Sequence, residues 1–153
     1  MADKQRVIIR NLAPWEVAFA RKNMNGDVTI APNGKIFLDE QEITAQCFSN
    51  NRLFIGTDGH GSHAQIYIES PELRQEFGFE SADGKEKQVL LDDERLHKIF
   101  EYKRQADFEK AVREWVVVHY EKFKIIDYIK SAKINDYYKI RFIEEFTGVK
   151  VDN

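Results

Sequence analysis

Over the first 70 residues, hydrophobic and polar positions alternate in short stretches that are separated by turn-forming dipeptides. Asn25-Gly26, Asn33-Gly34 and Asp58-Gly59 can supply the positive φ angles that tight hairpin turns need. Alternation with a period of two is typical of a strand that buries one face. These stretches, together with two continuous apolar runs at residues 7–9 and 53–55, predict six short strands, at residues 7–9, 15–19, 28–30, 36–38, 53–55 and 64–68. Their number and close spacing favour a small antiparallel β-sandwich or barrel.

Two short helices are predicted within this β-rich half. Asp39 is a candidate N-cap, and Glu40 and Glu42 suit the first turn of a helix that Asn50-Asn51 ends. Ser70-Pro71-Glu72 combines a capping serine, a proline at the first helical position and an acidic residue in the first turn. We expect this second helix to end at Gly78.

The spacing of apolar residues becomes helical after a polar, turn-prone stretch at residues 80–88. Asp92 is a candidate cap for the first helix of this part, and Gly148 for the end of the last one. The apolar faces of the four predicted helices are Leu96/Ile99/Phe100, Phe108/Val112/Trp115/His119, Phe123/Ile126/Ile129 and Tyr138/Phe142/Phe146. The predicted class is therefore α+β, with a β-rich domain at residues 1–80 and a helical C-terminal lobe at residues 89–153.

The helical lobe has more apolar faces than a thin two-layer contact can cover. Residues 115–120 are apolar on all sides, which indicates either a deeply buried helix or a strand, and Tyr137 and Tyr138 lie on neighbouring faces of the last helix. Exposed apolar patches often mark partner surfaces, and Tyr and Trp are favoured anchors there. The candidate interaction residues are Trp115, Tyr137, Tyr138 and Phe142. Their partner would be a second copy or another protein; alternatively, these faces close on one another in a self-sufficient bundle.

Composition and charge exclude several classes of protein. Hydrophobic residues make up 42% of the 153 residues, so we expect the chain to fold rather than to be disordered. The single cysteine, Cys47, excludes an internal disulfide, and the N-terminus does not resemble a signal peptide, which favours the cytoplasm. No apolar run approaches the roughly 20 residues of a membrane span. Residues 1–80 carry 8 basic and 11 acidic side chains, and residues 81–153 carry 15 of each.

The loop at residues 57–63 is the strongest candidate for chemistry. Asp58, His60 and His63 could ligate a metal ion, and the neighbouring glycines could fold around an ion or a phosphate. The alternative, which we favour, is a glycine-rich hairpin connection with exposed polar side chains. No cofactor motif, catalytic residue or paired acid and base is indicated elsewhere. We therefore expect no enzyme, no cofactor and no metal.

Basic residues on the last two predicted helices suggest a second alternative. Lysines and Arg141 alternate there with Tyr128, Tyr137 and Tyr138, and such a face can bind a phosphate backbone. Acidic residues reduce the net charge of residues 120–150 to only +2. Nucleic acid is therefore not the expected partner, and the lysines are interpreted as a solvated helix surface.

Several stretches of the β-rich half resemble small proteins of tailed bacteriophages that are encoded in virion-structure gene clusters. They are Pro14-Trp15-Glu16-Val17-Ala18-Phe19, Gly26-Asp27-Val28, Glu42-Ile43-Thr44-Ala45-Gln46, Leu53-Phe54-Ile55-Gly56-Thr57-Asp58 and Gly61-Ser62-His63-Ala64. The resemblance covers mainly residues 6–79, and a weaker resemblance extends from Lys133 to Gly148. It implies a capsid-accessory or decoration protein in the host cytoplasm or the virion, bound to itself or to another particle protein, and it implies no catalytic residues.

Overall fold

The computed structural model describes residues 5–151 of the chain. Residues 1–4, on which the expectation about a signal peptide depends, and residues 152–153 lie outside this range. The described residues form five strands and seven helices in two compact units, with the division between Val89 and Leu90. The class is α+β with a helical C-terminal part, as predicted. The prediction of a small antiparallel sandwich or barrel is confirmed only in part: the strands within residues 5–151 form two small antiparallel sheets, and these do not close into a barrel.

The first unit contains both sheets. Its strands are β1 (Arg6–Asn11), β2 (Val17–Ala20), β3 (Asp27–Ile30), β4 (Lys35–Asp39) and β5 (Ile66–Ile68). One sheet has the order β4-β1-β5, and β2 and β3 form a separate hairpin. Alternate residues of the strands are buried, so the period of two in the sequence is confirmed. The helices are α1 (Glu40–Phe48), α2 (Arg52–Ile55) and α3 (Pro71–Glu76), and two of them begin at the predicted caps Asp39 and Ser70.

The predicted strand at residues 53–55 is wrong, because these residues belong to helix α2. The Asn51 side chain accepts a hydrogen bond from the Leu53 backbone N–H and caps the helix. Gly56 ends it with a positive φ of 73°. A single helical turn buries Phe54 and packs Leu53 and Ile55 partly against the same core. Three consecutive apolar residues fit such a turn as well as a buried strand, since they show no alternation.

The polar segment that precedes the second unit packs onto the 57–63 loop. The His63 backbone N–H donates to the Val89 carbonyl over 2.7 Å. In return, the Val89 N–H donates to the Ser62 hydroxyl, and the Gln88 amide donates to the Gly61 carbonyl. These bonds hold residues 88–89 within the first unit.

The second unit consists of α4 (Asp93–Glu101), α5 (Gln105–Trp115), α6 (His119–Ser131) and α7 (Tyr137–Thr147). Asp92 caps α4 through the Arg95 N–H, and Gly148 ends α7 with a φ of 75°, as predicted. The core of this unit includes Leu96, Ile99, Phe108, Val112, Ile125, Ile126, Ile129 and Ile143. No helix within residues 5–151 has the length and apolar character needed to cross a membrane.

The expectation of one helix face from Phe108 to His119 is wrong, because α5 ends at Trp115 and His119 begins α6. The three valines between them form the connection rather than an all-apolar helix. The fully buried Glu121 carboxylate accepts hydrogen bonds from the N–H groups of Val117 and Val118, at 2.9 and 3.1 Å. This acidic side chain therefore satisfies backbone donors that a continuous helix would have paired internally.

Candidate interaction surface

Three tyrosines are the most exposed aromatic side chains of the second unit. Tyr137 and Tyr138 begin α7 and are 62% and 71% exposed, and Tyr102 follows α4 and is 45% exposed. We call these three residues the tyrosine surface. The rings of Tyr137 and Tyr138 meet edge to face, with centroids 5.3 Å apart. They therefore present two differently oriented aromatic faces to solvent.

The first turn of α7 is anchored to the connection between α4 and α5. The Asp136 side chain accepts from the Lys139 N–H and caps the helix. The Lys139 ammonium donates to the carbonyls of Phe100 and Tyr102, at 2.8 and 2.7 Å. The Gln105 amide donates to the Tyr138 carbonyl at 3.2 Å. Because Lys139 caps the C-terminal end of α4, its charge also interacts favourably with that helix dipole.

Tyr137 has a further contact that orients its ring. The Arg141 guanidinium donates to the Glu145 carboxylate and to the Tyr137 hydroxyl, each at 3.2 Å. The hydrogen bonds to Glu145 and Tyr137 raise the pKa of Arg141. The hydroxyl of Tyr137 is thereby placed beside the positive charge of Arg141.

A groove with a volume of about 670 Å³ lies beside Tyr137. The Val151 N–H donates to the Glu144 carboxylate at 2.9 Å, which places the C-terminal segment along one side of α7. The groove combines apolar and charged lining residues: Ile134, Asn135, Tyr137, Ile140, Arg141, Glu144, Glu145, Lys150 and Val151. Its mixed character resembles the rim of a protein interface more than an enclosed ligand pocket.

Trp115 and Phe142, the other two candidate interaction residues, are half-buried. The Arg95 guanidinium lies over the Trp115 ring, 4.0 Å from its centroid. Phe142 packs between the rings of Phe108 and Phe146. Much of their apolar area is therefore buried within the second unit. Of the four candidate interaction residues, the structure brings only Tyr137 and Tyr138 together.

Sequence reasoning missed Tyr102 as a member of this surface. It lies outside every helix, next to the exposed Lys103 and Arg104, so no periodic pattern includes it. The sequence does show that the helical pattern of α4 ends at Glu101, which places the next residue, Tyr102, in the connection between two helices. Its position beside α7 results from Lys139, which is distant in the sequence.

The candidate ligands at residues 57–63 form a hydrogen-bonded loop. The Asp58 carboxylate accepts from the N–H groups of His60 and Ser62, at 2.8 and 3.2 Å. Desolvation raises the pKa of Asp58, but the hydrogen bonds from Ser62 and His60 outweigh it and hold that pKa below its ordinary value. His60 is exposed, and His63 has a positive φ of 58°. Within residues 5–151, no group of three His, Cys, Asp or Glu side chains is arranged to hold a metal ion.

The basic residues of the last two helices include several that have partners within the unit. Lys139 binds the end of α4, and Arg141 binds Glu145. Lys124 is largely desolvated, and its burial lowers its pKa although the carboxylates of Asp93 and Asp92 oppose the shift. These three charges are therefore less available to a phosphate backbone than the sequence suggests.

Comparison with known proteins finds no matching family model, no matching curated protein and no matching solved structure.

Proposed function

We propose that this chain is a non-enzymatic interaction protein that binds another protein through the tyrosine surface. The observation that carries the proposal is the exposure of Tyr137 and Tyr138 on a helical turn that three anchoring hydrogen bonds hold in place. Tyrosine is enriched among residues that dominate binding energy, since its ring supplies a large contact area and its hydroxyl a hydrogen bond.

Preorganisation strengthens this interpretation. Binding usually loses about 0.5–1.5 kcal/mol for each flexible side chain that becomes fixed. The backbone of Tyr138 is already held by Gln105, and the Tyr137 hydroxyl by Arg141. Part of the ordering cost of the Tyr137 side chain therefore falls on folding rather than on association.

The non-enzymatic part of the proposal draws support from the 57–63 loop. A metal-dependent enzyme at this loop would need the Asp58 carboxylate as a ligand. That carboxylate instead stabilises the turn through the His60 and Ser62 N–H groups. This use of Asp58 favours the glycine-rich connection over a catalytic centre.

The resemblance to tailed-phage proteins suggests which class of partner to test. We propose a capsid-accessory or decoration role, in the host cytoplasm and on the particle, with a shell protein as the partner. Capsid and portal genes beside the coding region would agree with this role, whereas replication genes would favour a nucleic-acid-associated role.

The test is co-sedimentation of the purified protein with assembled shells made from the neighbouring capsid gene. We expect saturable binding to the shells. The Tyr137→Ser/Tyr138→Ser double variant should weaken it at least about tenfold, because a loss of about 1 kcal/mol or more is typical for each anchor residue.

Val117→Ser is the matched control, since Val117 is an exposed apolar residue of the same unit that lies outside the tyrosine surface. It should bind the shells as the wild type does. The proposal is wrong if the wild type joins no assembly, or if the double variant and the Val117 control bind equally well.

A further inference from the structure

Strand β4 has one open edge. It pairs with β1 alone among the described residues, in a register that matches Val7 with Leu38 and Ile9 with Ile36. Bonds from the Asn11 N–H to the Gly34 carbonyl and from the Glu40 N–H to the Gln5 carbonyl define which pairs in this ladder are hydrogen-bonded. Because bonded and non-bonded pairs alternate in antiparallel sheets, the backbone groups of Lys35 and Phe37 point away from β1.

The side chains of β4 have a symmetrical charge pattern about Phe37. Lys35, Phe37 and Asp39 alternate with the inward Ile36 and Leu38, so they share the outer face of the sheet. Phe37 is 64% exposed at the centre of this row. The positive charge lies two residues before it and the negative charge two residues after it.

This pattern makes the strand complementary to itself. If a second β4 runs antiparallel with Phe37 opposite Phe37, Lys35 of each copy faces Asp39 of the other. The Asp39 carboxylate then lies between that lysine and Arg6 of its own β1, whose guanidinium is 3.8 Å away. The two Phe37 residues can then exchange a pair of N–H to carbonyl bonds, as a bonded antiparallel pair requires. Lysine alone on an edge discourages strand addition, but an opposing carboxylate on the incoming strand reverses that effect.

We propose that two copies of the chain associate through β4, with a two-fold axis at Phe37 that joins the two three-stranded sheets. The surface lies on the first unit and goes beyond the proposed function, which uses the tyrosine surface of the second. A contact of five residues a side buries much less than the roughly 1,200 Å² of a standard stable interface, so the dimer is weak and depends on concentration.

Charge variants test the pairing by analytical ultracentrifugation of the full chain from about 1 µM to about 1 mM, where we expect the wild type to pass from monomer towards dimer. Lys35→Asp and Asp39→Lys each place like charges opposite one another at two positions. Each variant alone should therefore raise the dimer dissociation constant about tenfold. An equimolar mixture should form a heterodimer close to wild-type strength, because opposite charges then meet at both positions.

Asp27→Lys is the matched control, since it reverses an exposed acidic residue on strand β3. It should leave the dimer unchanged. A wild type that stays monomeric at about 1 mM, or a mixture no stronger than its components, overturns the proposal. So does loss of the dimer in the Tyr137→Ser/Tyr138→Ser variant, which would place the contact between copies on the tyrosine surface.

A cross-link provides a second and independent test. Opposite residues of a bonded antiparallel pair have Cα atoms about 5.5 Å apart, which suits a disulfide. Phe37→Cys should therefore form a covalent dimer on mild oxidation, while Met24→Cys, at a residue 50% exposed, should not. The native Cys47 is buried and does not compete. Equal cross-linking of the two variants would contradict the proposed axis.

Discussion

Gly56→Ala should be among the most damaging small substitutions in the first unit. Gly56 ends α2 with φ 73° and ψ −158°, a region that is essentially restricted to glycine. An added Cβ would lie 2.1 Å from the Ser62 carbonyl oxygen and 2.9 Å from the Gly61 carbonyl carbon. Both are backbone atoms, so no side-chain rotation can relieve the contact.

The loop that would have to move is held from both ends. The Thr57 N–H donates to the Ser62 carbonyl at 2.9 Å, and the Gly61 N–H donates to the Ile55 carbonyl at 2.7 Å. Backbone strain of this kind costs about 1–3 kcal/mol, and a lost hydrogen bond about 1 kcal/mol more. Alanine also lowers the conformational entropy of the unfolded chain, which offsets about 0.4–1 kcal/mol of this destabilisation. We therefore expect Gly56→Ala to lower the free energy of unfolding by about 3 kcal/mol.

Gly59→Ala is the matched control in the same loop. Its φ of 78° is similar, but a Cβ there would meet no atom within 4 Å. The positive φ is then the only unfavourable feature for alanine, so we expect Gly59→Ala to lower the free energy of unfolding by about 1 kcal/mol.

Guanidinium denaturation measures both variants. A Trp115→Phe background leaves Trp15 as the fluorescent reporter of the first unit. Equal losses of unfolding free energy for Gly56→Ala and Gly59→Ala would contradict a steric effect at Gly56, since an added Cβ meets backbone atoms only there.

Three further predictions concern groups with identified partners. The lowered pKa of Asp58 means that its charged form stabilises the fold above the unfolded pKa of about 3.9 and that this contribution is lost as the pH falls through the folded value. The stability difference between wild type and Asp58→Asn, measured by denaturation, should therefore be present at pH 7 and shrink below about pH 4; a constant difference would contradict this. Burial raises the pKa of the Cys47 thiol to about 12, so a thiol reagent at pH 8 should react at least about a hundredfold more slowly with native than with unfolded protein. Equal rates would show that Cys47 is accessible. Glu121→Ala should cost about 2–3 kcal/mol, because it leaves the Val117 and Val118 N–H groups without their acceptor, and Glu121→Gln should cost less, since one oxygen remains. Denaturation followed by Trp115 fluorescence checks both variants, and similar losses would contradict the acceptor role.

Short-range features of the sequence determined much of the secondary structure. The alternation of Val28 and Ile30 with Asp27 and Thr29 predicts β3, because a strand with one buried face has a period of two. The caps at Ser70 and Asp92 predict the starts of α3 and α4, because a side-chain oxygen satisfies backbone donors within the same turn. Such signals act over only a few residues and need no knowledge of the remaining fold.

The tertiary structure decided the features that depend on residues distant in the sequence. The three apolar side chains of residues 53–55 show no periodicity, so the sequence is compatible with a helix or a strand. Packing of these side chains against the core favours the helix. Glu121 decided where α5 ends, and Lys139 placed Tyr102 beside α7. The Asp58 carboxylate stabilises a turn because the folded loop places the N–H groups of His60 and Ser62 beside it. The exposure and the partners of a residue depend on the whole folded chain. Local pattern alone therefore identified Tyr137 and Tyr138 but could not identify Tyr102 as part of the tyrosine surface or the open edge of β4.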